Sequence, residues 1–201
     1  MADGTARIPG VSWSEIIVHA DERGSFRELW RAGAFESLSG DLTGAAPGSP
    51  VRFTQSNLSI SQAGVLRGVH LHRRQLDHWV VARGTAFIAL VDVRPMLAGG
   101  DRPIVETRVA DANTTVSIPI GVAHGFLALD PIELVYFVTN DYDGSDELGF
   151  AWDDPVAGID WPRVGAPGGR PILSPRDESN PPLVELVERI RAAEHGRAGG
   201  T

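Results

Sequence analysis

The sequence predicts a single all-β domain, built as a sandwich or barrel, with one short helix near its C-terminus. The middle of the chain consists of short β-rich runs separated by turn residues, which is typical of such folds. A chain of 201 residues can bury one sizeable core, and all-β domains often use this length as one unit. We therefore treat residues 1–201 as one domain, with a core over about residues 15–180.

Nine runs are expected to form the strands, because each is rich in β-branched or aromatic residues and is bounded by turn signals. They are residues 15–19, 51–60, 65–70, 78–83, 85–93, 104–109, 114–118, 124–129 and 133–139. In the run 85–93, Phe87, Ala89, Val91 and Val93 share one face, and Ile88, Leu90 and Asp92 share the other.

Helical and irregular segments are expected outside these strands. The segment 182–192 begins with Pro and has apolar residues at the spacing of a helical stripe. Residues 32–38 are expected to form one or two helical turns, and residues 1–10 and 192–201 to be loose ends. The stretch 141–181 is expected to dock on the domain as an irregular strap. Its docking residues are Phe150, Trp152, Ile159, Trp161, Ile172 and Leu173.

The composition excludes several classes of function. A net charge of −8 argues against a general nucleic-acid or membrane-surface role. There is no cysteine, which removes disulfides, thiolate metal sites and thiol nucleophiles. All 18 basic residues are Arg, so no side-chain amine is available for catalysis. The N-terminus lacks a signal-peptide pattern and no apolar run approaches about 20 residues, so we expect a cytoplasmic protein.

Three histidines and one aspartate stand at spacings that predict a metal site. His70 and His72 are two positions apart at the end of the predicted strand 65–70, and in extended backbone they point to one face. Asp77 could return to that face from the next strand, and the piece Pro-Ile-Gly-Val-Ala-His ends at His124. These pieces resemble the two sequence motifs of metal-binding cupins, with Asp77 where those proteins usually have Glu. The set could hold Fe, Mn, Ni, Cu or Zn; alternatively, His72 is an outward polar residue and Asp77 a turn residue.

A longer series of ordered pieces spans most of the domain. It comprises Asp21–Glu28, Gln55–Asn57, Gly64–His70, Val91–Arg94, Ile118–Phe126, Leu134–Tyr136, Asn140–Tyr142, Trp152–Pro155, Gly158–Pro162 and Ile172–Asp177. Together these pieces resemble the dTDP-4-dehydrorhamnose 3,5-epimerase family. The resemblance implies a cupin-type double-stranded β-helix, a jelly-roll barrel, and an enzyme that epimerises a dTDP-4-keto-6-deoxyhexose by enolisation next to the ketone.

The same resemblance implies roles for individual residues. His70 would be the general base, Asp177 its dyad partner and Tyr136 the acid on the opposite face. Arg67, counted with the catalytic residues, and His124 would line the sugar end. The nucleotide and its pyrophosphate would be held by Arg23, Phe26, Glu28, Gln55, Asn57 and Arg176. The N-terminal segment would reach over from the partner subunit of a homodimer, and an ordinary member of the family would need no cofactor.

Three positions depart from the family pattern. Family members have Lys where Asp77 stands, usually Gln where His72 stands, and a thymine-stacking aromatic near Asp141. Asp77 would place an anion where the family has a cation beside the forming enolate. The two negative charges would repel each other by about 1–4 kcal/mol at partly screened contact distance.

Two interpretations of these departures stay open. In the first, a divalent metal on His70, His72, Asp77 and His124 replaces the lysine as electrophile, but His70 could then not be a free base. In the second, the chain is a metal-dependent isomerase, cyclase or oxygenase acting on another substrate. A third alternative, a sugar-nucleotide binding protein without turnover, is disfavoured because Tyr136 and Asp177 are retained.

Overall fold

Two facing antiparallel sheets of five strands each form the body of the protein. The computed structural model describes residues 7–35, 51–164 and 169–198. The strand order is β1-β9-β6-β11-β4 in the first sheet and β12-β5-β10-β7-β8 in the second. The strands are β1 (Ser12–Glu15), β2 (His19–Asp21), β3 (Gly24–Phe26), β4 (Gln55–Ser61), β5 (Leu66–Leu71), β6 (Asp77–Arg83), β7 (Thr85–Asp92), β8 (Ile104–Asp111), β9 (Thr114–Ile118), β10 (Val122–Ala128), β11 (Ile132–Val138) and β12 (Leu148–Gly149). The predicted cupin-type jelly-roll barrel is confirmed.

The chain changes sheets at almost every strand from β4 to β11, and this winding encloses the core. Because β7 is buried on both faces, its two sets of side chains enter different clusters. Ile88 and Leu90 pack between the sheets, whereas Val91 and Val93 pack on the outer face of the second sheet. The predicted alternation along this strand is therefore confirmed.

Helices cover the outside of the second sheet. Helix α3 (Leu183–Ala198) places Leu183, Leu186 and Val187 in the outer apolar cluster. The helix is longer than the predicted segment 182–192. Residues 192–198 are helical, so the prediction that they form a loose end is wrong. Two short helices, α1 (Arg94–Leu97) and α2 (Pro175–Glu178), were not predicted, because four residues are too few to show a helical period.

The strap over 141–181 is irregular and docked, as predicted, in its described residues. Phe150 is fully buried, and Ile159 and Trp161 pack against the outer cluster beside α3. Ile172 is a partial exception: its backbone pairs with Val65, but its side chain is 52% exposed. The strap therefore docks through its backbone as well as through its apolar side chains.

The N-terminal predictions are wrong in two respects. Residues 7–10 are not loose, because Glu106 accepts hydrogen bonds from the backbone N–H groups of Arg7 and Ile8 (2.7 and 3.2 Å) and Ile8 is buried. The predicted strand 15–19 is split, with β1 ending at Glu15 and an exposed hairpin, β2–β3, beginning at His19. A single 3₁₀ turn spans Ala32–Phe35, and residues 36–38 lie outside the described residues. In the described ranges, no helix is both long and apolar enough for a membrane span.

A register shift between β5 and β10 changes which side chains of β5 face the inside of the barrel. His124 pairs with His70, but Phe126 pairs with Arg67, so β5 has one residue more than its neighbour over this interval. The extra residue allows Arg67 and His70, which are three apart, to face the same cavity. Gly68 makes the close approach feasible, since a Cβ there would lie 2.6 Å from Cα of Gly125.

Candidate active site

A cavity of about 410 Å³ opens between the sheets. It receives side chains from β4, β5, β6, β10 and β11, together with residues of the strap and of α2. The lining residues are Gln55, Asn57, Ser59, Arg67, His70, His72, Gln75, Asp77, Trp79, His124, Phe126, Leu134, Tyr136, Val138, Tyr142, Glu147 and Arg176. A concave, partly apolar space with convergent polar groups is the arrangement expected of a small-molecule site.

His70 and Asp177 form a hydrogen-bonded pair at the edge of this cavity. The distance from His70 Nε2 to Asp177 Oδ1 is 2.6 Å, and the aspartate side chain is only 4% exposed. Burial alone would raise the pKa of Asp177, but hydrogen bonds from His70, Ser174 and the Gly68 backbone and the charge of His70 hold it below its usual value. An ionised Asp177 accepts the Nε2 proton of a neutral His70, so Nδ1 carries the basic lone pair.

Tyr136 lies across the cavity from His70. It stands on β11 of the first sheet, whereas His70 stands on β5 of the second. Burial and the nearby charge of Asp77 raise the pKa of the Tyr136 phenol, against a smaller opposite effect of Arg67. The phenol is therefore protonated at neutral pH and can donate a proton into the cavity.

His72, Asp77 and His124 meet at the inner end. One potential ligand atom of each lies within 4.8 Å of the other two, and His124 Nε2 is 3.6 Å from Asp77 Oδ2. Burial lowers the pKa of His124 to about 4, although Asp77 acts in the opposite direction. His70 does not join this group, because the ligand atoms that cluster there belong to His72, Asp77 and His124. The predicted four-ligand set is thus reduced by the geometry to three.

Polar side chains surround the wider part of the cavity. Gln55 donates to Asn57 (2.8 Å), and Arg176 is paired with Glu147 at 2.6 Å. The backbone N–H of Tyr142 donates to Gln55 Oε1 (2.9 Å), which places the exposed Tyr142 ring at the mouth. The family aromatic was expected near Asp141, and an aromatic ring is present one position later, at Tyr142.

Arg23, Phe26 and Glu28 do not line the cavity of their own chain. Arg23 is paired with Asp21, Glu28 is paired with Arg31, and Phe26 is 71% exposed on β3. The hairpin pairs only with itself among the described strands. The cavity of one chain therefore does not include these three predicted nucleotide-binding residues.

Comparison with known proteins identifies the family. The profile described as dTDP-4-dehydrorhamnose 3,5-epimerase matches residues 5–185. The chain belongs to this family. It is 36% identical over 177 residues to the dTDP-4-dehydrorhamnose 3,5-epimerase of Escherichia coli K12, covering 86% of this chain and 89% of that protein.

Solved structures of family enzymes agree in fold and in length. A 3'-monoepimerase from Streptomyces bikiniensis in complex with dTDP-quinovose superposes with a TM-score of 0.75 at 30% identity, covering 96% of each chain. The 3,5-epimerase of Legionella pneumophila in complex with dTDP-4-keto-L-rhamnose gives 0.74 at 31% identity, covering 90% of this chain and 94% of that one.

Several cavity residues had no predicted role, among them Glu147, Gln75 and Trp79. Glu147 lies in the strap, where no spacing pattern distinguishes it from other acidic residues. Gln75 and Trp79 both donate to the Asp77 carboxylate, at 2.7 and 3.1 Å. Trp79 could have been found, because it lies two positions after Asp77 on the same strand face.

Proposed function

We propose that this epimerase-family protein inverts C3, C5 or both in a dTDP-linked 4-keto-6-deoxyhexose. His70 removes the proton next to the ketone, and Tyr136 returns a proton from the other side. The observation that carries the proposal is the hydrogen-bonded His70–Asp177 pair, which opens on a cavity that Tyr136 also lines. The relatives with dTDP-quinovose and dTDP-4-keto-L-rhamnose bound support a nucleotide sugar as substrate.

The geometry accounts for inversion rather than simple exchange. When the C–H bond breaks, its electron pair forms the enolate and the proton goes to Nδ1 of His70. Asp177 stabilises the imidazolium through the 2.6 Å hydrogen bond. Because Tyr136 comes from the opposite sheet, its phenol can protonate the face that His70 does not reach. The placement of the proposed acid and base on different sheets supports inversion.

The nucleotide binds toward the mouth of the cavity in this proposal. Gln55, Asn57 and Arg176 offer amide and guanidinium groups for the base and the pyrophosphate. The Tyr142 ring provides a surface on which the thymine can stack.

The active protein is a homodimer in which each hairpin completes the partner's site. Phe26 and Ile17 are exposed at 71% and 74% on or beside the hairpin, and Leu58 and Ile60 at 57% and 66% on the edge strand β4. Burying these apolar side chains between two chains would remove their surface from water and so favour the dimer. The same contact would bring Arg23, Phe26 and Glu28 to the nucleotide.

Solvent exchange tests the reaction. Wild-type protein incubated with dTDP-4-keto-6-deoxyglucose in D₂O should place deuterium at C3, at C5 or at both, with inversion detected by NMR. Binding of dTDP is measured separately by calorimetry. Failure to bind dTDP together with the absence of exchange would refute the proposal.

Complementation tests the dimer. Chains with His70→Asn and chains with Arg23→Ala are each expected to be nearly inactive. In mixed dimers, one of the two sites has both an intact His70 and an intact hairpin. Mixing equal amounts should therefore restore roughly a quarter of wild-type activity. No recovery after subunit exchange, or a monomer by analytical ultracentrifugation, would contradict the shared site.

A further inference from the structure

The inner end of the cavity has three side chains arranged as ligands around a common centre. The potential ligand atoms of His72, Asp77 and His124 lie within 4.8 Å of one another. Ligands at about 2.1 Å from a zinc ion are about 3.0–3.5 Å apart. The separation of His124 Nε2 and Asp77 Oδ2, 3.6 Å, is already close to that value.

Both imidazoles are held in the tautomer that a metal requires. His72 Nδ1 lies 2.8 Å from the carbonyl oxygen of Asp146, and His124 Nδ1 lies 3.2 Å from that of Val122. A carbonyl can only accept, so each Nδ1 carries a proton, and in the neutral ring it is Nε2 that offers the lone pair. A histidine ligand whose other ring nitrogen donates to a backbone carbonyl is the usual arrangement around protein-bound metals.

The carboxylate is oriented in the same way. Gln75 donates to Oδ1 of Asp77 and Trp79 donates to Oδ2, which fixes the group and leaves each oxygen a further lone pair. The lone pair of His124 Nε2 thus faces the same carboxylate that these two donors hold. Two electron-rich groups at this distance repel each other unless a proton or a cation stands between them.

Within the described residues, no protein cation fills this role. Arg67 lines the same cavity, but its Nε donates to Ser61 and it forms no ion pair with Asp77. The chain contains no Lys. The Asp77 carboxylate and the two imidazoles therefore lie in the cavity in which the proposed reaction develops negative charge.

We propose that His72, Asp77 and His124 bind one divalent transition-metal ion, which acts as the electrophile beside the substrate ketone. Two imidazoles and one carboxylate leave coordination positions open toward the cavity. His70 lies outside this cluster and stays available as base, so the conflict of a four-ligand site does not arise. The electrophilic role rests on the proposed function, whereas metal binding does not.

Metal binding is tested without reference to activity. Untagged full-length protein, stripped with chelator and desalted, is titrated with ZnCl₂ by calorimetry and with CoCl₂ by visible absorption. One equivalent per chain is expected. His72→Gln and Asp77→Asn should each weaken Zn²⁺ binding at least about 100-fold, while His195→Gln, an exposed histidine on α3, should not change it. Less than about a tenth of an equivalent, or unchanged affinity in both ligand variants, would overturn the site.

The role of the metal is tested by C–H exchange of the keto sugar in D₂O. The stripped wild-type protein should lose at least about tenfold in exchange rate and recover it with Zn²⁺. The double variant His72→Gln, Asp77→Lys places family-type residues at both positions and should exchange without metal. Exchange by the stripped wild-type protein at the full rate would overturn the electrophilic role. Zn²⁺ binding without exchange under any condition would instead remove the proposed function and leave the metal site intact.

Discussion

Replacing Asp177 by Asn should disable the base while leaving the cavity unchanged. The aspartate side chain is 4% exposed and His70 is 26% exposed, so water screens their 2.6 Å hydrogen bond only weakly. A hydrogen bond to a charged group contributes about 1.5–3 kcal/mol, and its loss from the imidazolium predicts a rate decrease of about 10- to 150-fold. The amide can also donate to Nε2 and so move the imidazole proton onto Nδ1, which lowers the rate further.

The assay is the initial rate of deuterium incorporation from D₂O into the dTDP-4-keto sugar. Glu178→Gln is the matched control, because Glu178 is an exposed carboxylate on the same short helix and pairs with Arg170. The control should exchange at the wild-type rate, and both variants should bind dTDP as the wild type does. An Asp177→Asn rate within about threefold of the wild type would refute the dyad.

Three further predictions follow from the same contacts. Tyr136→Phe should lower the rate of net inversion about 10²- to 10⁴-fold. The rate of deuterium wash-in through His70 should fall less, and NMR can measure the two rates separately. Equal losses in both rates would contradict the role of Tyr136 as the acid. Gly68→Ala should lower the free energy of unfolding measured in urea by about 2–4 kcal/mol, because Gly68 has φ +130° and the new Cβ would meet the backbone of Gly125. A decrease below about 0.5 kcal/mol would contradict this. The stabilisation from ionised Asp177 is complete above its unfolded pKa of 3.8 and is lost as the pH falls through the lower folded pKa. The melting temperatures of wild type and Asp177→Asn should therefore converge below pH 3.8, and a constant difference would contradict the assignment.

The sequence predicted the regular parts of the barrel well, because alternation is strong in strands such as β7 that lie between two packed layers. It failed where local pattern and tertiary contact disagree. The apolar run 15–19 is mostly exposed, and the N-terminal residues are held by Glu106, about 100 positions away. Helix α3 continues beyond its apolar stripe, which ends at residue 190.

In the candidate site too, some features could be predicted from local sequence patterns and others could not. The spacing of His70 and His72 placed both on one face from sequence alone, and both line the cavity. The contact between His70 and Asp177 joins residues 107 apart, which no local period can indicate, so it depended on the family resemblance. Arg67 reaches the cavity only through the register shift in β5, which strand alternation cannot anticipate. The cytoplasmic location and the absence of nucleic-acid partners stay predictions.

The most direct test of the account is deuterium wash-in by His70→Asn. Asn is uncharged and close to the size of the imidazole, so the cavity and the nucleotide contacts should persist, with wild-type dTDP affinity and an unchanged cooperative melt. We expect the exchange rate to fall at least about 100-fold, since the proposed base at the reacting carbon is removed. Exchange within about tenfold of wild type would show that another group takes the proton and would contradict the central claim.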